Sequence, residues 1–459
     1  MNTAAKLSAS SPAAAKAPAA GLAESGRVTS GQAVDGSWPT LPQVRIGGPR
    51  SAVARALISR IAGRLPIRLQ LPDGRMSGSG GPGAPVLRLR DADAFFARVG
   101  SGTAGFAESY MAGDWDSDDL PGLFRVLAAA LPDLVPAPLR ALRRLYIPRR
   151  PAAEDDSIDG ARRNIERHYD LSNEFFRLFL DPTMTYSSAL FDPADEATGD
   201  LAGPSGPAGP SGLAALERAQ IRKIDRLLDL TGVGPGTRLL EIGTGWGELA
   251  LRAARRGAAL TSLTLSAAQR DTAARRAAAA GLSDRIEVQL RDYREAAGSY
   301  DAIVSVEMIE AVGAAYWPEY FAVMDRLLAP GGIAGIQAIT MPHDQMRAAV
   351  DRQTWIHKYI FPGGQIPSLR AIEQALADHT SLRVTSDLAM GRHYARTLAH
   401  WRARFASAEA DVAELGFSPE FRRMWDLYLA YSQAGFLAGY LDVHQLMLQA
   451  AARMPDKQS

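Results

Sequence analysis

The chain has 459 residues and 47% of them are hydrophobic, which is enough for two or three domains with buried cores. Lys and Arg number 51 against 50 Asp and Glu, and this balance excludes the strongly basic surface of a general nucleic-acid binder. Without cysteine, the sequence offers no disulfide, no thiolate metal site and no cysteine nucleophile.

The N-terminal residues 1–50 are rich in Ala, Ser and Pro and predict a disordered tail. The tail lacks the apolar core of a secretory signal, and no later stretch reaches the roughly 18 uninterrupted apolar residues of a membrane span. We therefore expect a cytoplasmic protein, and one that can still touch the inner face of a membrane.

A small α+β domain is predicted over residues 51–146. Leu65–Leu71 alternates apolar and polar residues, Pro72–Gly74 is a turn signal, and Val86–Arg90 alternates again, which together indicate strands and a hairpin. Asp91–Val99 and Leu120–Leu131 have helical patterns.

The rest of the chain is predicted to be one α/β domain over residues 160–459. A Pro-rich, charged linker, 147–159, precedes it, and a Gly/Pro-rich flexible insertion, 192–212, interrupts it. Apolar residues from Leu213 to Leu228 form a helical stripe. Strands are predicted at Arg238–Ile242, Leu260–Leu265, Ile286–Leu290, Ala302–Val306 and Ile333–Ile339. Because helical stretches separate them, the pattern predicts a parallel sheet with helices on both faces.

A glycine turn follows the first of these strands, at Glu241–Gly247, and opens a helix. The dinucleotide fingerprint G-x-G-x-x-G fails here because its sixth position is Glu248, whose carboxylate would repel a pyrophosphate. S-adenosylmethionine carries an ammonium, a ribose and a sulfonium but no phosphate, so glycines beside Glu241 and Asp292 suit it better. A tight strand–helix turn that binds no ligand is the structural alternative.

A series of motifs in order along the chain resembles the cyclopropane-fatty-acyl-phospholipid synthases and their mycolic acid relatives. The segment 168–173 reads H-Y-D-L-S-N, and 184–188 reads M-T-Y-S-S. They are followed by the glycine turn, by L-S-A-A-Q at 265–269, R-D-Y-R at 291–294, E-A-V-G at 310–313 and Y-I-F-P-G-G at 359–364. Residues 108–120 (ESYMAGDWDSDDL) are similar to the family's N-terminal lipid-binding domain.

The resemblance implies a Rossmann-like class I methyltransferase domain, with a helical insertion at about 341–380, preceded by an α+β lipid-binding domain. It implies transfer of the S-adenosylmethionine methyl group to a cis double bond of a phospholipid acyl chain, and ring closure after a base removes a proton. A bound bicarbonate is the implied base, surrounded by Glu310, Tyr394, the Ile339 backbone and Ser188, with Gln337 alongside. The residues predicted to bind the cofactor are Tyr169, Tyr186, Ser187, Glu241, Gly243, Gly245, Trp246, Gly247, Thr264, Ser266, Gln269, Asp292 and Tyr293.

Three positions depart from the family pattern: Ser188 stands where Cys is frequent, Gln337 where His is frequent, and Ala311 replaces the His of E-H-V-G. A methylene- or methyl-branched acyl product is therefore the alternative to a cyclopropane. A soluble small-molecule methyltransferase and a non-enzymatic lipid-binding protein are more distant alternatives. We predict that the protein binds no metal and no nucleic acid. The resemblance also suggests a homodimer. Further candidates for cation–π contacts are Tyr359, Phe361 and Tyr394.

Overall fold

The structure is a computed structural model that describes residues 40–100, 103–134, 151, 156–158, 160–161, 163, 171–193, 207–350 and 352–451. These residues belong to one compact unit. Three segments named above lie outside the described ranges. They are residues 1–39 of the predicted tail, the H-Y-D residues 168–170, which include Tyr169, and residues 194–206 of the predicted insertion. The domain boundaries at 146 and 160 stay predictions.

The N-terminal region contains four helices and a four-stranded sheet of order β2-β1-β3-β4. Its elements are α1 (Pro49–Ala62), β1 (Arg68–Gln70), β2 (Met76–Ser77), β3 (Val86–Leu89), α2 (Ala92–Val99), α3 (Thr103–Met111), β4 (Trp115–Asp116) and α4 (Leu120–Leu134). The predicted hairpin is confirmed, since β1 and β2 pair antiparallel across the Pro72–Gly74 turn. The tail prediction extended too far, because α1 begins at Pro49, and the sequence reading missed α1, α3 and β4.

The larger region is built on a seven-stranded sheet of order β10-β11-β9-β8-β5-β6-β7. Its strands are β5 (Arg238–Ile242), β6 (Ala259–Thr264), β7 (Ile286–Leu290), β8 (Tyr300–Val306), β9 (Leu328–Thr340), β10 (Leu382–Ala389) and β11 (Asp442–Ala450). All five predicted strands are present. The predicted parallel sheet is confirmed for the five strands β5 to β9, and β11 lies antiparallel between β9 and β10.

Helices cover the sheet and close one of its edges. They are α5 (Asn173–Phe179), α6 (Pro210–Leu230), α7 (Glu248–Arg255), α8 (Ala267–Ala279), α9 (Trp317–Leu327), α10 (His343–Ala349), α11 (Trp355–Tyr359), α12 (Leu369–His379), α13 (Gly391–Ser407), α14 (Glu409–Glu414) and α15 (Pro419–Leu437). The flexible insertion was predicted to reach residue 212, but α6 already begins at Pro210. None of the described helices is long and apolar enough to span a bilayer.

The prediction of a helical insertion at 341–380 is only partly correct. Helices α10 and α11 leave the sheet region, but α12 packs on α9 and β10 and so belongs to a layer of the sheet. The sequence reading missed a second helical cover, α13 and α15, which connects β10 to β11. Helix α15 also packs on α3 and α4, so it joins the N-terminal region to the larger one.

The parallel pairing of β5 with β6 and with β8 places the carboxyl ends of all three strands at one edge of the sheet. Helix α7 begins at this edge directly after the glycine turn. Helix α8 begins there too, where the Ser266 hydroxyl accepts a hydrogen bond from the Gln269 amide at 3.3 Å. Such a cap contributes about 1 kcal/mol to helix stability. Helix starts and strand ends therefore converge where α/β sheets place ligands.

Candidate active site

A cleft opens at the carboxyl ends of β5, β6 and β8. Including its mouth, it encloses about 1150 Å³. Of the residues predicted to bind the cofactor, ten line it: Tyr186, Ser187, Glu241, Gly243, Gly245, Trp246, Thr264, Gln269, Asp292 and Tyr293. Gly247 and Ser266 lie behind this lining as the residues before α7 and α8. Tyr169 lies outside the described residues.

The three glycines of the turn all have left-handed backbone angles, with φ of 100° at Gly243, 51° at Gly245 and 87° at Gly247. Their surroundings differ. A Cβ atom at Gly247 would lie 2.8 Å from the Ala273 Cβ, and one at Gly243 would overlap the Met308 side chain. A Cβ at Gly245 would meet no atom within 4 Å. Gly247 and Gly243 thus serve packing, whereas Gly245 faces open space that a ligand can approach.

The two acids predicted beside the turn have different electrostatic states. Glu241 is buried and its carboxylate accepts a 2.5 Å hydrogen bond from Ser262, and burial raises its pKa to about 8. Asp292 is also buried, but Arg294 donates to both of its oxygens at 2.8 Å, so its charge is already neutralised. Glu241 is the buried carboxyl that a cationic ligand group would stabilise.

Aromatic side chains form one wall of the cleft. The Trp246 indole donates to Asn173 at 2.7 Å, and the Tyr186 hydroxyl lies 2.8 Å from that of Tyr428 on α15. These bonds fix the two rings at the lining, where their faces suit a sulfonium. Tyr359 does not join them, because its hydroxyl donates to Glu108 on α3 at 2.9 Å. Its predicted cation–π role was wrong, since it lines the contact between α11 and the N-terminal region instead of the cleft.

Polar residues complete the cofactor side. The Thr264 hydroxyl donates to the Gln269 amide oxygen at 3.0 Å, so the two lining residues hold each other in place. An open glycine cradle, a buried carboxyl that lacks a cation and two oriented aromatic faces fit S-adenosylmethionine. The residues that would hold it are Gly245, Glu241, Trp246, Tyr186 and Gln269.

A carboxylate cluster lies on the other side of the cleft, and Glu307 is its centre. Its Oε1 accepts hydrogen bonds of 2.8 Å from the Ser188 amide and of 2.8 Å from the Gln337 side chain. Burial raises the pKa of Glu307, and the neighbouring Tyr394 side chain acts in the opposite direction. Glu307 has a φ of 50°, a left-handed conformation that costs a non-glycine residue about 1–2 kcal/mol. Backbone strain of this kind is concentrated at functional sites.

Glu310, three residues further on, is held differently. Its Oε1 accepts a hydrogen bond from the Ile339 amide, and its Oε2 is buried with no hydrogen-bond partner in the described part of the chain. Burial, followed by the nearby charge of Glu307, raises the pKa of Glu310 to about 8. The structure thus brings the five predicted catalytic residues together around Glu307, which was not one of them. The five are Ser188, Glu310, Gln337, Ile339 and Tyr394.

Lys223 on α6 is the functional residue that sequence reasoning missed. It is fully buried, lines the cleft, and donates to the Ser187 hydroxyl at 2.6 Å. Burial lowers its pKa to about 8, while the charges of Glu307 and Asp181 favour its protonated form. The sequence did contain a signal, because Lys223 lies on the apolar stripe of α6 beside Ile224 and Leu227, where a lysine needs a partner.

Comparison with known proteins assigns the family. The sequence profile described as mycolic acid cyclopropane synthetase matches residues 157–446, more than half of the chain. The chain belongs to the mycolic acid cyclopropane synthetase family. Members of this family are enzymes that modify lipid acyl chains with S-adenosylmethionine, and this compound is the cofactor here.

Two curated relatives match most of the length of this chain. Tuberculostearic acid methyltransferase UfaA1 of Mycobacterium tuberculosis is 50% identical over 415 residues, 90% of this chain and 95% of the relative. Cyclopropane-fatty-acyl-phospholipid synthase of Escherichia coli is 32% identical over 366 residues, 79% of this chain and 87% of the relative. The names of the two relatives describe different reactions.

A solved structure confirms the predicted Rossmann-like class I methyltransferase fold. Mycolic acid cyclopropane synthase CmaA1, complexed with SAH and CTAB, superposes with a TM-score of 0.55 at 30% identity, and the match covers 63% of this chain and 98% of that one. Among the described residues of this chain, no group of three His, Asp or Glu side chains is placed to hold a metal ion.

Proposed function

We propose that this enzyme transfers the methyl group of S-adenosylmethionine to the cis double bond of an unsaturated phospholipid acyl chain and forms a methylene-branched chain. The observation that carries the proposal is the cleft itself, in which the glycine turn and Glu241 face the carboxylate cluster of Glu307 and Glu310. A methyl donor on one side and a proton acceptor on the other are the two groups that this reaction needs.

The branched product is favoured by two findings. UfaA1, at 50% identity, is named as a methyltransferase of a fatty acid and not as a ring-forming synthase. The three departures at Ser188, Gln337 and Ala311 also fall in the part of the site that surrounds the proton acceptor. Further reduction to a methyl branch would need a separate hydride-donating enzyme.

A cyclopropane is the second candidate product. It is supported by the 32% identity to cyclopropane-fatty-acyl-phospholipid synthase and by the ordered motif series. The two products begin with the same methyl transfer. They differ in whether the proton leaves before or after a hydride moves between the two former alkene carbons.

Expression in a bacterial host without endogenous cyclopropane lipids tests the proposal. We expect mass spectrometry of the extracted lipids to show acyl chains heavier by one CH₂ group, and NMR to show the signals of an exocyclic methylene group. Upfield ring-proton signals would instead establish the cyclopropane. A Gly245→Val variant, which fills the open space at the turn, is the matched negative control.

We also propose that the enzyme acts in the cytoplasm at the inner face of the membrane, where its acyl substrates lie, and that it forms a homodimer. The arginine-rich stretch 140–150 supports membrane contact, because each Arg near an anionic surface contributes about 1 kcal/mol. Co-sedimentation with anionic phospholipid vesicles should be reduced in a variant with Arg→Glu at positions 140, 143 and 144. Light scattering of the purified protein gives the oligomeric state.

A further inference from the structure

The family resemblance assigns the proton-accepting position to an external anion, but in this chain a side chain lies there. Ser188 and Gln337, two of the residues expected to surround the anion, each donate to Glu307 Oε1 at 2.8 Å, and Tyr394 is a neighbour of the same carboxyl. A carboxylate has the same charge and the same acceptor oxygens as bicarbonate. The donors are thus already satisfied by the protein.

The backbone and the charges around Glu307 maintain this arrangement. The residue has a φ of 50° at the end of β8, so its side chain is directed to the cluster at the expense of backbone strain. Lys223 supplies a buried positive charge that favours the ionised form of Glu307. Burial raises the pKa of both acids, but at Glu307 the charge of Lys223 and the donors Ser188 and Gln337 act against that rise, whereas at Glu310 the charge of Glu307 adds to it.

We propose that Glu307 is the catalytic base of this enzyme and replaces an external bicarbonate. The inference rests on the proposed methyl transfer and holds for either product. Glu307 is one of the residues that line the cleft, together with Met308 and Gly243, so it borders the space that the substrate must enter. Lys223 and Tyr394 are positioning residues, because they act on the reaction through Glu307.

The step balances without any further reactant. When bound, S-adenosylmethionine supplies a methyl group that bonds to one alkene carbon, while the electrons of its S–C bond stay on sulfur. The neighbouring alkene carbon is left with a positive charge. Glu307 then takes one proton from the former methyl group. The released C–H electrons form the third bond of a ring or, if a hydride has first moved between the two alkene carbons, the second bond of a methylene group.

Bicarbonate dependence and one isosteric variant test the proposal together. We expect the wild-type rate of lipid methylation in carbonate-free buffer to stay unchanged when bicarbonate is added. In Glu307→Gln we expect kcat to fall by about 100-fold or more, the usual contribution of a general base, with no change in the Kd for S-adenosylhomocysteine. Glu373→Gln, on the exposed face of α12, is the matched control and should keep the wild-type rate.

A Glu307→Gly variant gives an independent readout, since glycine adopts the left-handed backbone without strain and leaves space for an anion. We expect it to be inactive in carbonate-free buffer and to regain part of its activity with added bicarbonate or formate. Several-fold activation of the wild type by bicarbonate, or wild-type kcat in Glu307→Gln, would overturn the inference. If the wild type methylates no lipid in any buffer, it is the proposed function that fails.

Discussion

The two sides of the cleft are encoded in different ways. On the cofactor side, three of the five residues that would hold S-adenosylmethionine, Glu241, Gly245 and Trp246, come from one strand and its following turn, Arg238–Gly247. The carboxylate side takes Ser188, Lys223, Glu307, Gln337 and Tyr394 from five separate segments. A contiguous motif can be interpreted from the sequence, whereas a dispersed cluster depends on how distant segments pack.

The comparison also separates the two halves of the reaction. Donor binding is provided by backbone geometry and one buried carboxyl, and it needs few side chains. Proton removal needs a charge that is stabilised in a buried position, which takes a cation and several hydrogen-bond donors. Substitutions on the two sides should therefore give different kinetic results.

The largest effect is expected from Lys223→Met, which removes the buried cation of the carboxylate side. Because its removal leaves buried Glu307 without its nearby positive charge, we expect the free energy of unfolding to fall by about 3–5 kcal/mol. Burial already raises the pKa of Glu307 and Lys223 acts against this, so the pKa should rise further in the variant and the acidic limb of kcat should move to higher pH. Urea unfolding and a pH–rate profile measure the two effects.

Lys358→Met is the matched control for this variant. Lys358 forms an ion pair of 2.7 Å with Glu108 and is about a third exposed, so its loss should cost less stability. It should leave the pH–rate profile in place. An unchanged profile in Lys223→Met as well would show that the lysine does not control the ionisation of Glu307.

The glycine turn gives the next effect, through a matched pair of variants. Gly247→Ala combines a left-handed alanine with a Cβ 2.8 Å from that of Ala273, and we expect a stability loss of about 2–4 kcal/mol. Gly245→Ala meets no protein atom, so it should mainly weaken binding of S-adenosylhomocysteine. Thermal unfolding and calorimetric titration separate the two. Equal effects of both variants on binding and stability would contradict the different roles of the two glycines.

Tyr394→Phe tests the carboxylate side more gently, because it removes one hydroxyl beside the Glu307 carboxyl. A hydrogen bond from this hydroxyl to the ionised base would be worth about 1.5–3 kcal/mol, so we expect kcat to fall roughly 10- to 100-fold with an unchanged Kd for S-adenosylhomocysteine. Tyr300→Phe removes a hydroxyl that donates to the Ala297 carbonyl at 3.0 Å and serves as the control. A weaker cofactor affinity in Tyr394→Phe would mean that the two sides are not separate.

The most gradual effect concerns the pH dependence of stability. The pKa of Glu241 is raised from 4.5 to about 8, so the folded protein keeps a proton that the unfolded chain releases within this window. Stability must therefore fall as pH rises through it. Glu241→Gln should flatten the decline by up to about 1.4 kcal/mol per pH unit, with Glu310 still contributing in the same direction. Urea unfolding between about pH 5 and 8 gives the slope, and an identical slope in both proteins would refute the assignment.

Local pattern predicted the parts of the fold that depend on neighbouring residues. The five predicted parallel strands are present because each has a short apolar run bounded by turns. The two strands of the seven-stranded sheet that were missed, β10 and β11, have polar residues at alternate or terminal positions and come from the last third of the chain. Their pairing joins segments about sixty residues apart, and no local pattern specifies such a pairing.

For the site, sequence determined the family, the glycine turn and ten residues of the cleft lining, since these depend on a motif series and on strand–turn–helix units. Only the tertiary structure decided the charges: that Arg294 neutralises Asp292, that Lys223 is buried beside Glu307, and that Glu307 takes the donors expected to hold an external anion. The physical reason is that the protonation and role of an acid depend on burial and on partners brought by packing, and the partners of Glu307 lie in segments up to 119 residues away.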